Sequence, residues 1–190
     1  MLKITGGELR GRSIKTPPGL DTRPSGAKMR QALFNILGPR VVGARVADLF
    51  AGSGTLGLEA LSRGAAWCIF LEQDRRAAGL IRANLEALGL MERGQVLPAP
   101  LAAAGGRLKA AGPFDLVLAD PPYNRGLVRA ALELVASQGL LALGGLLAIE
   151  HSPAETPTAS KGLAVMDRRR YGQTQLSLLS ASAARKGFQA

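Results

Sequence analysis

The sequence has very little of the side-chain chemistry that disulfides and zinc sites require. Its 190 residues include one cysteine, Cys68, and one histidine, His151. Cys68 lies in an apolar run, so neither a disulfide nor a cysteine-based metal site is expected. Structural and catalytic zinc sites usually take three or four protein ligands, most often His and Cys, so a metal enzyme of this kind is improbable. We therefore expect no metal.

Long apolar runs are also missing. No segment approaches the ~18 consecutive apolar residues that a membrane span needs. Charged residues, among them Lys3, Glu8 and Arg10, occupy the stretch where a signal peptide would have its apolar core. With 47% hydrophobic residues the chain can bury the core of one compact body. We expect a cytoplasmic protein without a membrane partner.

Acidic residues are scarce only at the two ends of the chain. The formal net charge of +10 divides into +7 over residues 1–45, −1 over 46–165 and +4 over 166–190. A near-neutral centre with basic ends indicates that the ends meet a polyanion, most simply RNA or DNA. The alternative is that these basic side chains only solvate the surface.

The first 45 residues predict a basic extension that is too short to bury a core of its own. Residues 2–16 alternate apolar and polar side chains around Gly6-Gly7, which predicts a short β-hairpin. From Gly26 to Leu37 the apolar residues recur with helical spacing, and Ser25 is a possible cap. We expect this extension to face the nucleic acid.

From residue 46 to 182, short apolar runs alternate with helical stretches, which predicts a domain of parallel strands joined by crossover helices. Two further runs predict a closing antiparallel pair, and residues 183–190 predict a flexible tail. The predicted strands cover 46–50, 67–71, 95–98, 114–119, 146–150, 164–170 and 175–180, and the predicted helices cover 56–63, 75–88, 101–110 and 126–137.

The first of these strands runs directly into a glycine turn, Asp48-Leu49-Phe50-Ala51-Gly52-Ser53-Gly54. Gly52 and Gly54 lack a Cβ, so the backbone can turn sharply and approach a bound molecule. In an open α/β sheet, nucleotide-like ligands bind beyond the carboxyl ends of the strands near such a turn. The G-x-G-x-x-G spacing alone is weak evidence, and a plain tight turn is the alternative. With the preceding Asp-Leu-Phe-Ala, the stretch resembles motif I of Rossmann-like S-adenosylmethionine-dependent methyltransferases.

Glu72 stands at the end of the second strand of this domain, about 20 residues after the glycine turn. A carboxylate at that position can accept hydrogen bonds from both hydroxyls of a ribose. The alternative is a solvated strand end. Asp74 competes for this role, but we expect it to cap the next helix.

A third motif, Asp120-Pro121-Pro122-Tyr123, directly follows the predicted strand 114–119. Two consecutive prolines fix φ and remove two N–H donors, so this strand end is stiff and its carbonyl oxygens remain free to accept. Asp120 and one such carbonyl can hold the two N–H groups of a base amine, so that its nitrogen pyramidalises toward a methyl donor while Tyr123 stacks on the base. A simple stiff turn is the alternative.

Motif I, Glu72 and Asp-Pro-Pro-Tyr together resemble the methyltransferases that modify exocyclic nitrogens of adenine or guanine. Further stretches narrow the resemblance to the RsmD family, bacterial guanine-N2-methyltransferases of small-subunit ribosomal RNA. These stretches are Gly6-Gly7-Glu8-Leu9-Arg10-Gly11-Arg12, Thr22-Arg23-Pro24-Ser25, Arg30-Gln31-Ala32-Leu33-Phe34-Asn35-Ile36-Leu37 and Tyr171-Gly172-Gln173-Thr174. The likeness spans residues 2–180.

This resemblance implies an α/β fold of the Rossmann-like class I methyltransferase type, with a seven-stranded, mostly parallel sheet and helices on both faces. It implies S-adenosylmethionine as cofactor and 16S rRNA, within a ribosomal particle, as the partner of a monomeric enzyme. The target guanine would be held by Asp120, Pro121, Pro122 and Tyr123. The cofactor would contact Asp48, Phe50, Ala51, Gly52, Ser53, Gly54, Glu72, Gln73, Ala99 and Arg23.

The chain departs from the family pattern after its third predicted strand. Relatives often have an acidic or amide side chain there to meet the adenine ring, whereas this chain reads Leu97-Pro98-Ala99-Pro100-Leu101. Adenine recognition would then use backbone groups and apolar packing near Ala99, or another residue.

Two other functions remain open from the sequence. The same chemistry could act on DNA adenine or another RNA base, although the N-terminal stretch argues against this. The chain could also be a non-catalytic RNA-binding or assembly protein that keeps the fold, against which the intact Gly52, Gly54, Glu72 and Asp120 speak.

Overall fold

The computed structural model describes residues 2–17, 24–158 and 162–181. Its strands are β1 (Leu2–Lys3), β2 (Ser13–Ile14), β3 (Arg45–Asp48), β4 (Trp67–Glu72), β5 (Gly94–Pro98), β6 (Phe114–Ala119), β7 (Leu141–His151), β8 (Leu163–Tyr171) and β9 (Thr174–Ala181). Strands β1 and β2 pair with each other, and the other seven form one sheet in the order β5-β4-β3-β6-β7-β9-β8. Strands β3 to β7 run parallel, and β9 is antiparallel to both β7 and β8. The predicted seven-stranded fold and its closing antiparallel pair are confirmed.

The chain reverses its direction across the sheet at β3. From β3 it moves outward to β4 and β5, and it then returns to β6 on the other side of β3. Helices on opposite faces make the two sets of crossovers, so a crevice opens at the carboxyl ends of β3 and β6. This crevice is where the motifs of the sequence meet.

Among the residues that the structure describes, five α-helices cover the two faces of the sheet. They are α1 (Pro24–Leu37), α2 (Thr55–Ser62), α3 (Arg75–Leu88), α4 (Gly105–Ala111) and α5 (Leu127–Gln138). Because successive strand side chains point to opposite faces, Val46 packs in the core under α1, α2 and α3, whereas Ala47 packs in the core under α4 and α5. Within the described ranges, no helix has the length and apolar character to cross a membrane.

The N-terminal residues pack onto the sheet through helices α1 and α2. Ile4 and Ile14 of the hairpin and Phe34 of α1 are buried in the first core. Glu59 of α2 is fully buried, and its carboxylate accepts hydrogen bonds from Thr5 N at 2.8 Å and Arg30 Nε at 3.2 Å. The extension is thus joined to the sheet by apolar contacts and by a buried charge network.

The two adjacent glycines of the hairpin, Gly6 and Gly7, lie next to the end of α2. The backbone bonds that close the loop join Ile4 to Arg12 and Gly11, so the reversal lies beyond Gly6-Gly7. A Cβ on Gly7, whose φ is +80°, would lie 1.9 Å from the carbonyl oxygen of Ser62. The glycines therefore allow the hairpin to approach the end of α2, and the predicted β-hairpin forms with its reversal beyond them.

Three further differences concern element boundaries. The predicted helix 101–110 is a 3-10 turn over Leu101–Ala103 followed by α4, and the predicted strand 146–150 begins five residues earlier, at Leu141. Helix α1 begins at Pro24, one residue before the predicted cap Ser25, whose side chain lies outside the described residues. The predicted tail 183–190 also lies outside them.

Candidate active site

Four neighbouring parallel strands each carry a carboxylate at the carboxyl end. In the order of the sheet these are Glu72 of β4, Asp48 of β3, Asp120 immediately after β6 and Glu150 of β7. Residues on neighbouring strands that are 24 to 72 positions apart in the sequence therefore line one edge of the crevice. No three His, Cys, Asp or Glu side chains in the described part of the chain are grouped in a way that could hold a metal ion.

Asp48 is almost completely buried, with 1% of its surface exposed. One carboxylate oxygen accepts the Gly57 N–H at 3.0 Å, and the other has no hydrogen-bond partner among the described residues. Burial raises the pKa of Asp48 to about 7, opposed by backbone hydrogen bonds from Gly57 and Phe50 and supported by the charge of Glu72. A buried acceptor without a donor costs free energy, so this oxygen indicates a place for a ligand.

The loop after Asp48 is held open by Glu72. The Glu72 carboxylate accepts the Gly52 N–H at 2.7 Å and the Asp74 N–H at 2.8 Å. Gly52 has a φ of +55°, and a Cβ built there would meet no atom within 4 Å. The loop therefore faces open space beside the crevice. Asp74 caps α3 by accepting the Ala77 N–H at 2.8 Å, as predicted.

The third glycine of the motif has a packing role. A Cβ on Gly57 would lie 2.2 Å from the ring of Phe70 and 2.8 Å from the sulfur of Cys68. Helix α2 can therefore lie against β4 only if this position has no side chain. This close approach also brings the Gly57 N–H to Asp48.

The other cofactor residues that were predicted and that the structure describes lie at the same edge. Phe50, Ala51 and Ser53 belong to the loop after β3, and the exposed Gln73 follows Glu72. The Ala99 N–H donates to the carbonyl oxygen of Glu72 at 3.0 Å, so it is engaged within the fold. Arg23, predicted to close over the cofactor, lies outside the described residues.

Asp120 begins the loop after β6. Its side chain is exposed at the crevice, the next proline is buried and Pro122 is exposed. Enclosure by the crevice raises the pKa of the Asp120 carboxyl, and the negative charges of Glu150 and Asp48 add to this effect. Solvent at the mouth of the crevice screens part of the shift. Asp120 thus lies close to two other carboxyl groups, those of Glu150 and Asp48.

The ring of Tyr123 is fixed through its hydroxyl. This group donates to a Glu150 carboxylate oxygen at 2.8 Å and lies 3.0 Å from the Thr174 hydroxyl. The side chain is 38% exposed. Partial burial and the nearby Glu150 raise the pKa of Tyr123, so the phenol stays protonated at neutral pH. An aromatic face held at the crevice mouth is a stacking surface for a base.

The loop that follows Tyr123 is held in place by the segment that follows β7. Glu155 accepts the Asn124 N–H at 2.5 Å and the Gly126 N–H at 3.0 Å. Asn124 has a φ of +58°, a conformation that few residues other than glycine adopt readily. The Ser152 hydroxyl donates to the Asn124 side-chain oxygen at 3.2 Å.

Glu150, Thr174 and Asn84 also lie in this region, although none of them is among the predicted site residues. Asn84 of α3 is buried, and its amide donates to the Ser53 carbonyl at 3.1 Å and to the Lys15 carbonyl at 3.0 Å. Glu150 had a detectable signal, since it is the last residue of the predicted strand 146–150, much as Glu72 directly follows the predicted strand 67–71. Thr174 belongs to the stretch Tyr171-Gly172-Gln173-Thr174 that carries part of the family resemblance, but nothing in the sequence shows its contact with Tyr123. Asn84 has no signal, because its contacts depend on the tertiary fold.

The switch point at β3, the glycine loop after it and the carboxylate-lined crevice define a Rossmann-like protein of the class I methyltransferase fold. The family model described as conserved hypothetical protein 95 matches residues 2–180, and the chain belongs to this family. The predicted membership in the RsmD family is confirmed.

Curated relatives and solved structures agree with this assignment. The chain is 37% identical over 149 residues to ribosomal RNA small subunit methyltransferase D of Escherichia coli, covering 78% of this chain and 74% of that protein. It is 33% identical over 150 residues to the protein of the same name from Haemophilus influenzae, covering 78% of each. The solved structure of yhhF from Escherichia coli superposes with a TM-score of 0.83 at 35% identity, over 96% of this chain and 98% of that one.

Proposed function

We propose that this protein is an S-adenosylmethionine-dependent methyltransferase that methylates the exocyclic N2 amine of a guanine in 16S ribosomal RNA. The observation that carries the proposal is the position of Asp120-Pro121-Pro122-Tyr123 beside the crevice formed by Asp48, the glycine loop and Glu72. The relatives named ribosomal RNA small subunit methyltransferase D support the substrate class.

The residues of the crevice fit S-adenosylmethionine. Asp48 and the loop from Phe50 to Gly54 would face its methionine part, where Asp48 has an unpartnered oxygen and Gly52 opens onto free space. Each Glu72 oxygen already accepts one backbone N–H and keeps a lone pair for a ribose hydroxyl. Gln73 lies on the same side. Ala99 would meet the adenine ring by apolar contact, because its N–H is engaged.

When bound, the cofactor supplies an activated methyl group, so the protein needs no covalent nucleophile. Its own contribution is positioning and charge. Asp120 would accept one N2–H of the guanine and a carbonyl of the proline pair the other, while Tyr123 stacks on the extruded base. The N2 proton released on methylation passes to the Asp120 carboxylate and from there to solvent.

The basic ends of the chain would bind the RNA backbone. Residues 1–45 carry a net charge of +7 and residues 166–190 carry +4. Phosphate binding of this kind releases counterions, so RNA affinity should fall steeply with added salt. We propose that residues 1–45 form the RNA-facing extension of a catalytic domain over residues 46–182, and that the protein acts as a monomer in the bacterial cytoplasm on a ribosomal particle.

Transfer of labelled methyl groups tests the proposal. The acceptors are small subunits that lack the modification, naked small-subunit RNA, and DNA. We expect label in guanine of the RNA and a fall in kcat of about 100- to 1,000-fold for Asp120→Ala, with the dissociation constant of the cofactor nearly unchanged. Label in DNA alone, or cofactor binding without transfer to any acceptor, would refute the proposed function.

A further inference from the structure

Glu150 lies beside Asp120 across two paired strands. In the register of β6 and β7, Ala119 lies opposite Ile149, so the next residues along the two strands, Asp120 and Glu150, are neighbours. Parallel strands are about 4.8 Å apart. The charge of Glu150 contributes to the raised pKa of Asp120, as expected for two carboxylates at this spacing.

The carboxylate of Glu150 also lies at the edge of the stacking ring. One oxygen accepts the Tyr123 hydroxyl at 2.8 Å, and the other makes no hydrogen bond to any residue that the structure describes. Glu150 is half-buried at the crevice. A base stacked on Tyr123 would therefore meet a free carboxylate oxygen beside the carboxylate of Asp120.

Guanine presents two neighbouring donors that match this pair. Its Watson–Crick edge carries the N2 amine next to the N1–H, whereas adenine has an acceptor at N1. A flipped base is read by hydrogen bonds to this edge. A carboxylate accepts hydrogen bonds but cannot donate one when ionised, so it stabilises the guanine edge and repels the adenine edge.

We propose that Glu150 selects guanine by accepting its N1–H while Asp120 accepts its N2–H. This inference rests on the proposed function and deepens it, since it names the residue that determines the base. Thr174 is a positioning residue here, because it contacts the Tyr123 hydroxyl and the base only through that ring.

Substitution of the target base tests Glu150 directly. The substrates are small-subunit RNAs that carry either guanine or 2-aminopurine at the methylated position. Both bases have the amine on C2, but 2-aminopurine lacks the N1–H. We expect wild-type protein to prefer guanine in kcat/KM by about 100-fold or more, because a buried acceptor is left without its donor. In Glu150→Gln the amide can donate to the bare N1, so this preference should narrow at least about 10-fold.

Two matched variants separate base selection from structural damage. Thr174→Val removes a contact of the ring and keeps the carboxylate, so it should lower kcat/KM for both RNAs by the same factor. Glu133→Gln makes the same chemical change in an exposed pair with Arg129 on α5, and it should change neither rate.

The outcomes separate the two proposals. If wild-type protein does not methylate the RNA that carries guanine at this position, the proposed function fails. If it methylates guanine and Glu150→Gln lowers both rates equally, Glu150 does not select the base. Should the variant be too slow for kinetics, fluorescence of 2-aminopurine reports the extruded base. We then expect more extrusion with Glu150→Gln than with wild type, and equal extrusion would overturn the inference.

Discussion

Replacing Glu59 with glutamine removes the charge that joins the N-terminal residues to the sheet. The side chain is fully buried, and its two oxygens accept from the backbone and hydroxyl of Thr5. They also accept from Arg30 Nε at 3.2 Å and Arg63 Nε at 2.8 Å. Arg30 is only 5% exposed, and it donates a further hydrogen bond to the Lys3 carbonyl. In Glu59→Gln this guanidinium stays buried without a counter-charge.

The loss in the free energy of unfolding follows from the burial of Glu59 and Arg30. Breaking a buried ion pair by removing one partner costs about 3–5 kcal/mol. For a domain of this size, each kcal/mol lowers Tm by about 2–4 °C, so the melting temperature should fall by roughly 6–20 °C. The Arg63 side chain is 19% exposed, and Arg63→Ala should cost less, because solvent already screens its pairing with Glu59.

Two measurements check this prediction. Urea unfolding gives the loss in free energy, and amide hydrogen exchange locates it. Since the network joins residues 2–17 and α1 to α2, exchange should quicken there before it quickens in β3 and β4. A loss below about 1 kcal/mol, or exchange that quickens evenly through the sheet, would refute the reasoning.

Three further predictions concern the crevice. The raised pKa of Asp48 makes the folded state hold a proton up to about pH 7, so the free energy of unfolding should fall as pH rises from about 4 to 7. Because the pKa of Asp120 is raised as well, Asp48→Asn should reduce this slope in thermal melts without abolishing it, and the variant should be more stable than wild type at pH 8. Gly57→Ala should lower the free energy of unfolding by about 1–3 kcal/mol or more through overpacking. In Gly52→Ala the new Cβ meets open space, so the cost in stability should be about 1–2 kcal/mol. The main effect of Gly52→Ala should be weaker binding of S-adenosylhomocysteine, measured by calorimetry. Asn84→Ala releases the carbonyl of Ser53, so it should lower stability by about 1–3 kcal/mol and also weaken the same ligand; a stability loss with unchanged affinity would disprove the coupling.

The order of strands and helices could be predicted because it follows from local patterns of apolar and polar residues. Apolar runs such as 67–71 and 114–119 match β4 and β6 within one residue, and Asp74 caps α3 as predicted. Where local signals conflict, the prediction was wrong. Apolar residues favour a helix over 101–110, but Gly105-Gly106 lie within it, and the chain makes a 3-10 turn that ends at Ala103 before α4 begins.

The start of β7 shows the same limit in a strand. Gly144 has a φ of +76°, and the register with β6 shifts between Phe114 and Leu116. The glycines favour a break before residue 146, yet the strand continues through this irregularity from Leu141 because pairing with β6 resumes on both sides. Neighbouring strands supply the hydrogen bonds that local propensity does not provide.

Some residues of the candidate site could be predicted from local patterns, and others could not. Residues that follow a strand, such as Asp48, Glu72 and Asp120, could be found because the carboxyl ends of parallel strands share one edge. Contacts between segments that are far apart in the sequence could not be predicted. The hydroxyls of Tyr123 and Thr174 meet across 51 residues, and Asn84 meets Lys15 across 69. These pairings depend on how β9 and α3 pack, and no spacing in the sequence specifies that packing.

The row of carboxylates gives the crevice a sign opposite to that of the whole protein. Four carboxyl groups, of which Glu72 at least is free to carry a negative charge, line one edge of a chain whose net charge is +10. A phosphate that approaches this edge is repelled, whereas a base amine and a positively charged methyl donor are attracted. We therefore expect the RNA backbone to bind at the basic ends of the chain and only the base to enter the crevice. This charge pattern favours an extruded base, which the proposed methylation of an exocyclic amine within a folded RNA would need.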